Sequence, residues 1–154
     1  MANLPPCGIY RTTAAIGEVP AGRLVLFHNH GEPGPGVYLP VSWRGNRARF
    51  AERGTTLPDA ALAATLEPLP AEGLYRVTEA FTCCAKRCRT FEPDTLVQLG
   101  YDAGATPILF QPEWVEGAIA IPERGTRIDR GDTAKLARLQ VPESSPPDAD
   151  AALH

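Results

Sequence analysis

The chain has 154 residues, 44% hydrophobic and 21% charged, with a formal net charge of −3. That is enough for one compact domain or two small ones. No apolar run approaches the roughly 18 residues that read as a membrane span, and a chain without a basic surplus is a poor nucleic-acid binder. Fourteen glycines and 16 prolines favour many short elements joined by tight turns over long helices.

The opening, "MANLPPCGIYRTT", has no basic segment followed by an apolar one. It predicts no secretory signal, hence a cytoplasmic chain whose thiols stay reduced. "GIYRTTAAI" from Gly8 to Ile16 opens with a strand, and "RLVLFHNH" from Arg23 to His30 reads as a second. Alternation along that strand puts His28 and His30 on one face. A His-x-His pair is a metal-ligand spacing, although zinc needs further ligands that this segment lacks. "GEPGPG", Gly31 to Gly36, reads as a hairpin loop into a third strand, "GVYLPVSW". In "WRGNRARFAER" a fourth strand exposes Arg47 and Arg49 on one side, with Arg44 and Arg53 flanking. These four arginines form a basic strip that suits phosphate, nucleic acid or an acidic protein surface, a solvated strand face being the plainer reading. "LPDAALAATLEPL" predicts a short helical turn with Asp59 near its start.

The same train then repeats. "GLYRVTEAF" at Gly73 to Phe81 matches Gly8 to Ile16, "TLVQL" at Thr95 to Leu99 matches Arg23 to Phe27, and "ILFQPEW" at Ile108 to Trp114 matches Val37 to Trp43. "ERGTRI" at Glu123 to Ile128 matches Glu52 to Leu57. Ordered matches of this kind indicate two copies of a unit of about 65 to 70 residues. The expected domains are 1–70, 71–142 and an acidic, proline-bearing tail over 143–154 whose composition predicts disorder. The fold class is mainly β: two tandem small antiparallel barrels with short helical turns, capped in the second copy by Asp132 or Thr133. Each unit resembles a Src-homology-type barrel in architecture, a likeness that implies no activity. Tyr10 and Tyr75, Trp43 and Trp114, and Gly54 and Gly125 recur in both copies, so they are expected at core and turn positions.

Where the copies differ, function is the better explanation. Between Ile16 and Leu24 there are seven residues; between Phe81 and Leu96 there are 14, carrying Cys83, Cys84 and Cys88. With Cys7 these make four thiols that packing of the two barrels brings together, and four thiolates form a closed zinc site. Cys7, Cys83, Cys84, Cys88, His28 and His30 are therefore the candidate metal ligands, and zinc the candidate cofactor. No Cys-x-x-Cys knuckle supports it, and unligated thiols are the plainer reading. Of three serines only Ser42 precedes the tail, which disfavours a Ser-His-Asp hydrolase. The leading expectation is a non-enzymatic binding or assembly module with a protein partner and no membrane insertion. A zinc-stabilised module and a thiol redox protein are the alternatives.

Overall fold

The computed structural model describes residues 4–31, 33–83 and 89–142. The acidic tail and two of the cysteines, Cys84 and Cys88, lie outside these residues.

The described chain is mainly β. The first half contains β1 (Gly8–Arg11), β2 (Leu24–His28), β3 (Gly36–Tyr38), β4 (Pro40–Arg44), β5 (Arg47–Phe50), β6 (Thr55–Thr56) and β7 (Glu67–Pro68). The second contains β8 (Gly73–Val77), β9 (Phe81–Thr82), β10 (Thr90–Phe91), β11 (Leu96–Tyr101), β12 (Pro107–Phe110), β13 (Glu113–Val115), β14 (Ala118–Ala120), β15 (Thr126–Arg127) and β16 (Leu136–Arg138). Each half builds a five-stranded antiparallel sheet, ordered β6-β3-β2-β1-β7 and β15-β12-β11-β8-β16. Taken half by half, the two orders are the same. A separate hairpin, β4-β5 or β13-β14, leaves each sheet after its third strand, and β9-β10 is an extra hairpin of the second half.

The described residues form no closed barrel. The stretch expected as one strand, "GVYLPVSW", breaks at Leu39. Its second part pairs only with β5, so it swings out instead of continuing around a barrel wall. Outer strands of two or three residues are too short to close the gap.

Register also corrects the sequence alignment. Leu26 faces Tyr38 and Phe27 faces Val37, while Gln98 faces Phe110 and Leu99 faces Leu109. Val37 thus corresponds to Leu109, one place from the ungapped match to Ile108. The register shift between Pro40 and Ser42 explains the slip. Val41 is an extra, bulged residue of the first half, after which Trp43 opposite Ala48 corresponds to Trp114 opposite Ile119. Both hairpins turn through two left-handed residues, Gly45 (φ 59°) and Asn46 (φ 65°) in one, Glu116 (φ 51°) and Gly117 (φ 81°) in the other. That is the tight turn whose twist matches paired strands.

There are two cores. Tyr10, Ile16, Val19, Val25, Phe27, Val37, Leu57, Ala63 and Leu66 fill the first. The second holds Tyr75, Val77, Phe81, Cys83, Phe91, Val97, Leu99, Tyr101 and Leu109, together with Leu24 from β2. Ile9, Ala48, Phe50 and Leu69 of the first half pack against its edge. The backbone N–H of Leu24 donates to the Ala103 carbonyl at 2.8 Å, sealing this join.

Short 3₁₀ turns follow the sheets at Ala60–Thr65 and Arg130–Lys135. Asp59 caps the first, its carboxylate accepting from Ala61 N at 2.9 Å. The second starts earlier than expected: Asp129, not Asp132 or Thr133, holds the cap position, and Asp132 instead pairs with Lys135 at 3.1 Å. No helix among the described residues is long and apolar enough to cross a membrane.

Candidate docking hairpins and a thiol–imidazole cluster

The two hairpins meet different fates. β4-β5 lies on the second half's sheet. Trp43 Nε1 donates to the Tyr101 carbonyl at 2.8 Å. Asn46 Nδ2 donates to Gln98 Oε1 and to the Pro122 carbonyl, each at 2.9 Å, and Gln98 Nε2 returns a bond to Gly45 O at 3.0 Å. Ala48 N donates to Glu72 Oε2 at 2.9 Å. The approach is close enough to need a glycine beneath it, since a Cβ on Gly100 would stand 2.7 Å from the Asn46 carbonyl oxygen. Burial here pushes the Glu72 carboxyl above the usual carboxylate range, against the pull of the Ala48 N–H and the Arg47 guanidinium. Desolvation likewise raises Tyr101, whose hydroxyl donates to Pro70 O at 2.6 Å. A cavity of about 270 Å³ beside the join is lined by Trp43, Asn46, Tyr101, Ile108 and Phe110 among others.

Every residue of β13 and β14 is exposed. Trp114 is 76% exposed, Ile119 56% and Val115 48%. Ile121 beyond the hairpin is also exposed. The expectation of a core tryptophan therefore fails in both halves. Trp43 lies at a rim, with its indole N–H bonded, and Trp114 stands in solvent. Burial is set by the surface that receives each hairpin, which the tryptophan's own unit does not supply. Tyr10 and Tyr75 are buried, each hydroxyl donating to a carbonyl four residues back. Gly54 and Gly125 admit a neighbouring backbone: a Cβ would come 2.4 Å from Val37 O in one case and 2.8 Å from Leu109 O in the other.

Cys7, His28 and His30 come together, with one possible ligand atom from each lying within 4.8 Å of the other two. The imidazole centroids of the two histidines are 5.6 Å apart. Cys83 is elsewhere. It is 3% exposed in the second core, where Phe81 and Phe91 stack at 5.1 Å, and its Sγ accepts from Arg89 N at 3.3 Å. The two halves thus do not bring Cys83 to Cys7, because the thiol of Cys83 is buried in the second core. The expected roles of Cys84 and Cys88 fall outside the described residues.

Arg47 and Arg49 are exposed on β5 while Ala48 and Phe50 turn inward. Arg44 faces Arg47 across the hairpin, and Arg53 is exposed a few residues on. Sequence reasoning passed over Glu72, Gly100 and Asn46. Their signal is comparative: the first half has Cys7 and His28 at the places of Glu72 and Gly100, and the second half has Gly117 at the place of Asn46.

Comparison with family models, with curated proteins and with solved structures gave no match. Function rests on the geometry of this chain.

Proposed function

We propose that the chain is a tandem duplication of one β unit, each an opened form of the Src-homology-type architecture, and serves as a non-enzymatic assembly module. It docks on a protein partner through β13-β14. The observation that carries this reading is the contrast between equivalent hairpins. One is seated on a sheet by Trp43, Asn46 and Ala48; the other presents Trp114, Val115 and Ile119 outward. Clustered exposed apolar residues mark interaction surfaces, and tryptophan is the residue type most enriched among interface anchors. Arg44, Arg47, Arg49 and Arg53 supply a basic flank for an acidic part of the partner. A thiol redox role is less well supported, since burial denies Cys83 the access that such chemistry needs.

The test immobilises the full-length chain and a Trp114→Ser/Ile119→Ser variant and challenges both with one cell extract. Proteins retained by the wild type and lost from the variant are partners. Melting curves should agree within a few degrees, because side chains exposed to this extent contribute little to stability. An Arg47→Ala/Arg49→Ala chain, made to resemble Ala118 and Ala120, should hold the same proteins more weakly and with less salt sensitivity. Equal retention by wild type and the Trp114/Ile119 variant removes the hairpin from the mechanism.

A further inference from the structure

We propose that Cys7, His28 and His30 form a zinc site, independent of the docking hairpin. The sheet assembles it. Gly8 pairs with Phe27 in antiparallel register, so the residue before β1 and the last residue of β2, Cys7 and His28, fall at the same end of the sheet. His30 follows two residues later, where the chain bends.

The spacing fits the ion. Zinc with Zn–S near 2.3 Å and Zn–N near 2.0–2.1 Å in a tetrahedron holds thiolate and imidazole nitrogen about 3.6 Å apart. Cys7 Sγ lies 3.6 Å from Nδ1 of His30. A thiol and two imidazoles suit zinc better than magnesium or calcium, which prefer oxygen donors. Three protein ligands leave a fourth position for water or a partner's donor.

The surroundings favour the bound form. Asn29 N donates to Cys7 Sγ at 3.4 Å, a bond that strengthens when the sulfur carries charge. Asn29 Nδ2 donates to Pro5 O at 3.2 Å, which fixes the side chain. Its Oδ1 accepts a hydrogen bond from Cys7 Sγ at 3.3 Å and lies 3.0 Å from His30 Nδ1. Tyr38 meets the His28 ring edge to face at 5.4 Å. Nδ1 of His28 is buried with no hydrogen-bond partner among the described residues.

The fold does not demand these residues. At the corresponding places the second half has Glu72, Gly100 and Asp102. Glu72 receives the hairpin, and Asp102 ties its own turn by accepting from Gly104 N and Thr106 N. On binding, the Cys7 thiol gives its proton up to solvent.

The experiment titrates reduced, full-length protein with cobalt(II) and follows the thiolate-to-cobalt charge-transfer band. One equivalent should saturate it, and one equivalent of zinc should abolish it. Cys7→Ser should remove the band. His28→Asn and His30→Asn should each weaken cobalt binding more than about tenfold, since even outer-shell changes cost about 10–100-fold. Cys84→Ser/Cys88→Ser should leave band and stoichiometry intact. Cys7 and His30 are exposed, so their metal-free variants should melt with the wild type. No band at one equivalent, or a band that survives Cys7→Ser, overturns the site.

Discussion

Glu72 shows how one residue couples burial to assembly. Its carboxyl is 7% exposed and receives the Ala48 N–H of the docked hairpin. Its raised pKa means that the folded chain keeps a proton at pH values where the unfolded chain has released it. Stability is therefore greatest below the ordinary carboxylate range and declines as pH climbs through the raised value. Glu72→Gln keeps an oxygen for Ala48 and cannot ionise. Melting curves of the variant should lose this decline, so the variant gains on the wild type as pH rises from the ordinary carboxylate range upward. A constant difference over that range would show that Glu72 is not the group responsible. At this scale the sequence was partly legible. His28 and His30 stood out as a ligand pair, but alternation was the wrong reason, since β2 ends at His28 and a bend brings His30 back. Cys7 was assigned to distant thiols. Its true neighbour could have been found from the pairing of the first two strands, which sets the residue before Gly8 beside the residue after Phe27.

Among the elements, the hairpins carry the lesson. Gly100→Ala places a methyl 2.7 Å from the Asn46 carbonyl oxygen, a backbone atom that can retreat only if β4-β5 lifts. Overpacking of this kind costs about 1–3 kcal/mol. The expected result is a lower melting temperature with increased protection loss at the Ala48 amide in hydrogen exchange; an unchanged Ala48 would mean that the sheet yields instead. Short strands and tight turns were readable from Gly, Pro and alternation, and Asp59 announced its 3₁₀ turn. The break at Leu39 was not, because a bulge at Val41 leaves the apolar pattern intact while redirecting the strand. Recurrence of Trp43 and Trp114 suggested common burial. Identical letters fix a local hairpin register, whereas burial depends on the surface each hairpin reaches.

For the whole molecule, repetition in sequence and in strand order goes with asymmetry in packing. The first core is built from first-half residues, whereas the second takes in Leu24 and is flanked by Ile9, Ala48 and Phe50. Internal matches predict a repeated strand order from sequence alone, but not which half leans on the other. That information sits in differences as small as Gly100 against His28.

The seating of β4-β5 is a head-to-tail contact between unlike surfaces, and contacts of that type propagate into filaments unless something stops them. By that logic the exposed β13-β14 of one chain would add to the first sheet of another. Against this, His28 corresponds in register to Gly100, which leaves room for a carbonyl, and Gly117 lacks the amide with which Asn46 grips Gln98. Chain growth should begin when both ends are repaired. The first sheet also has Leu26 where Gln98 accepts that amide, so in sedimentation velocity Leu26→Gln/His28→Gly/Gly117→Asn should form larger concentration-dependent oligomers than the wild type, and Trp114→Ser added to that set should return it to the wild-type profile.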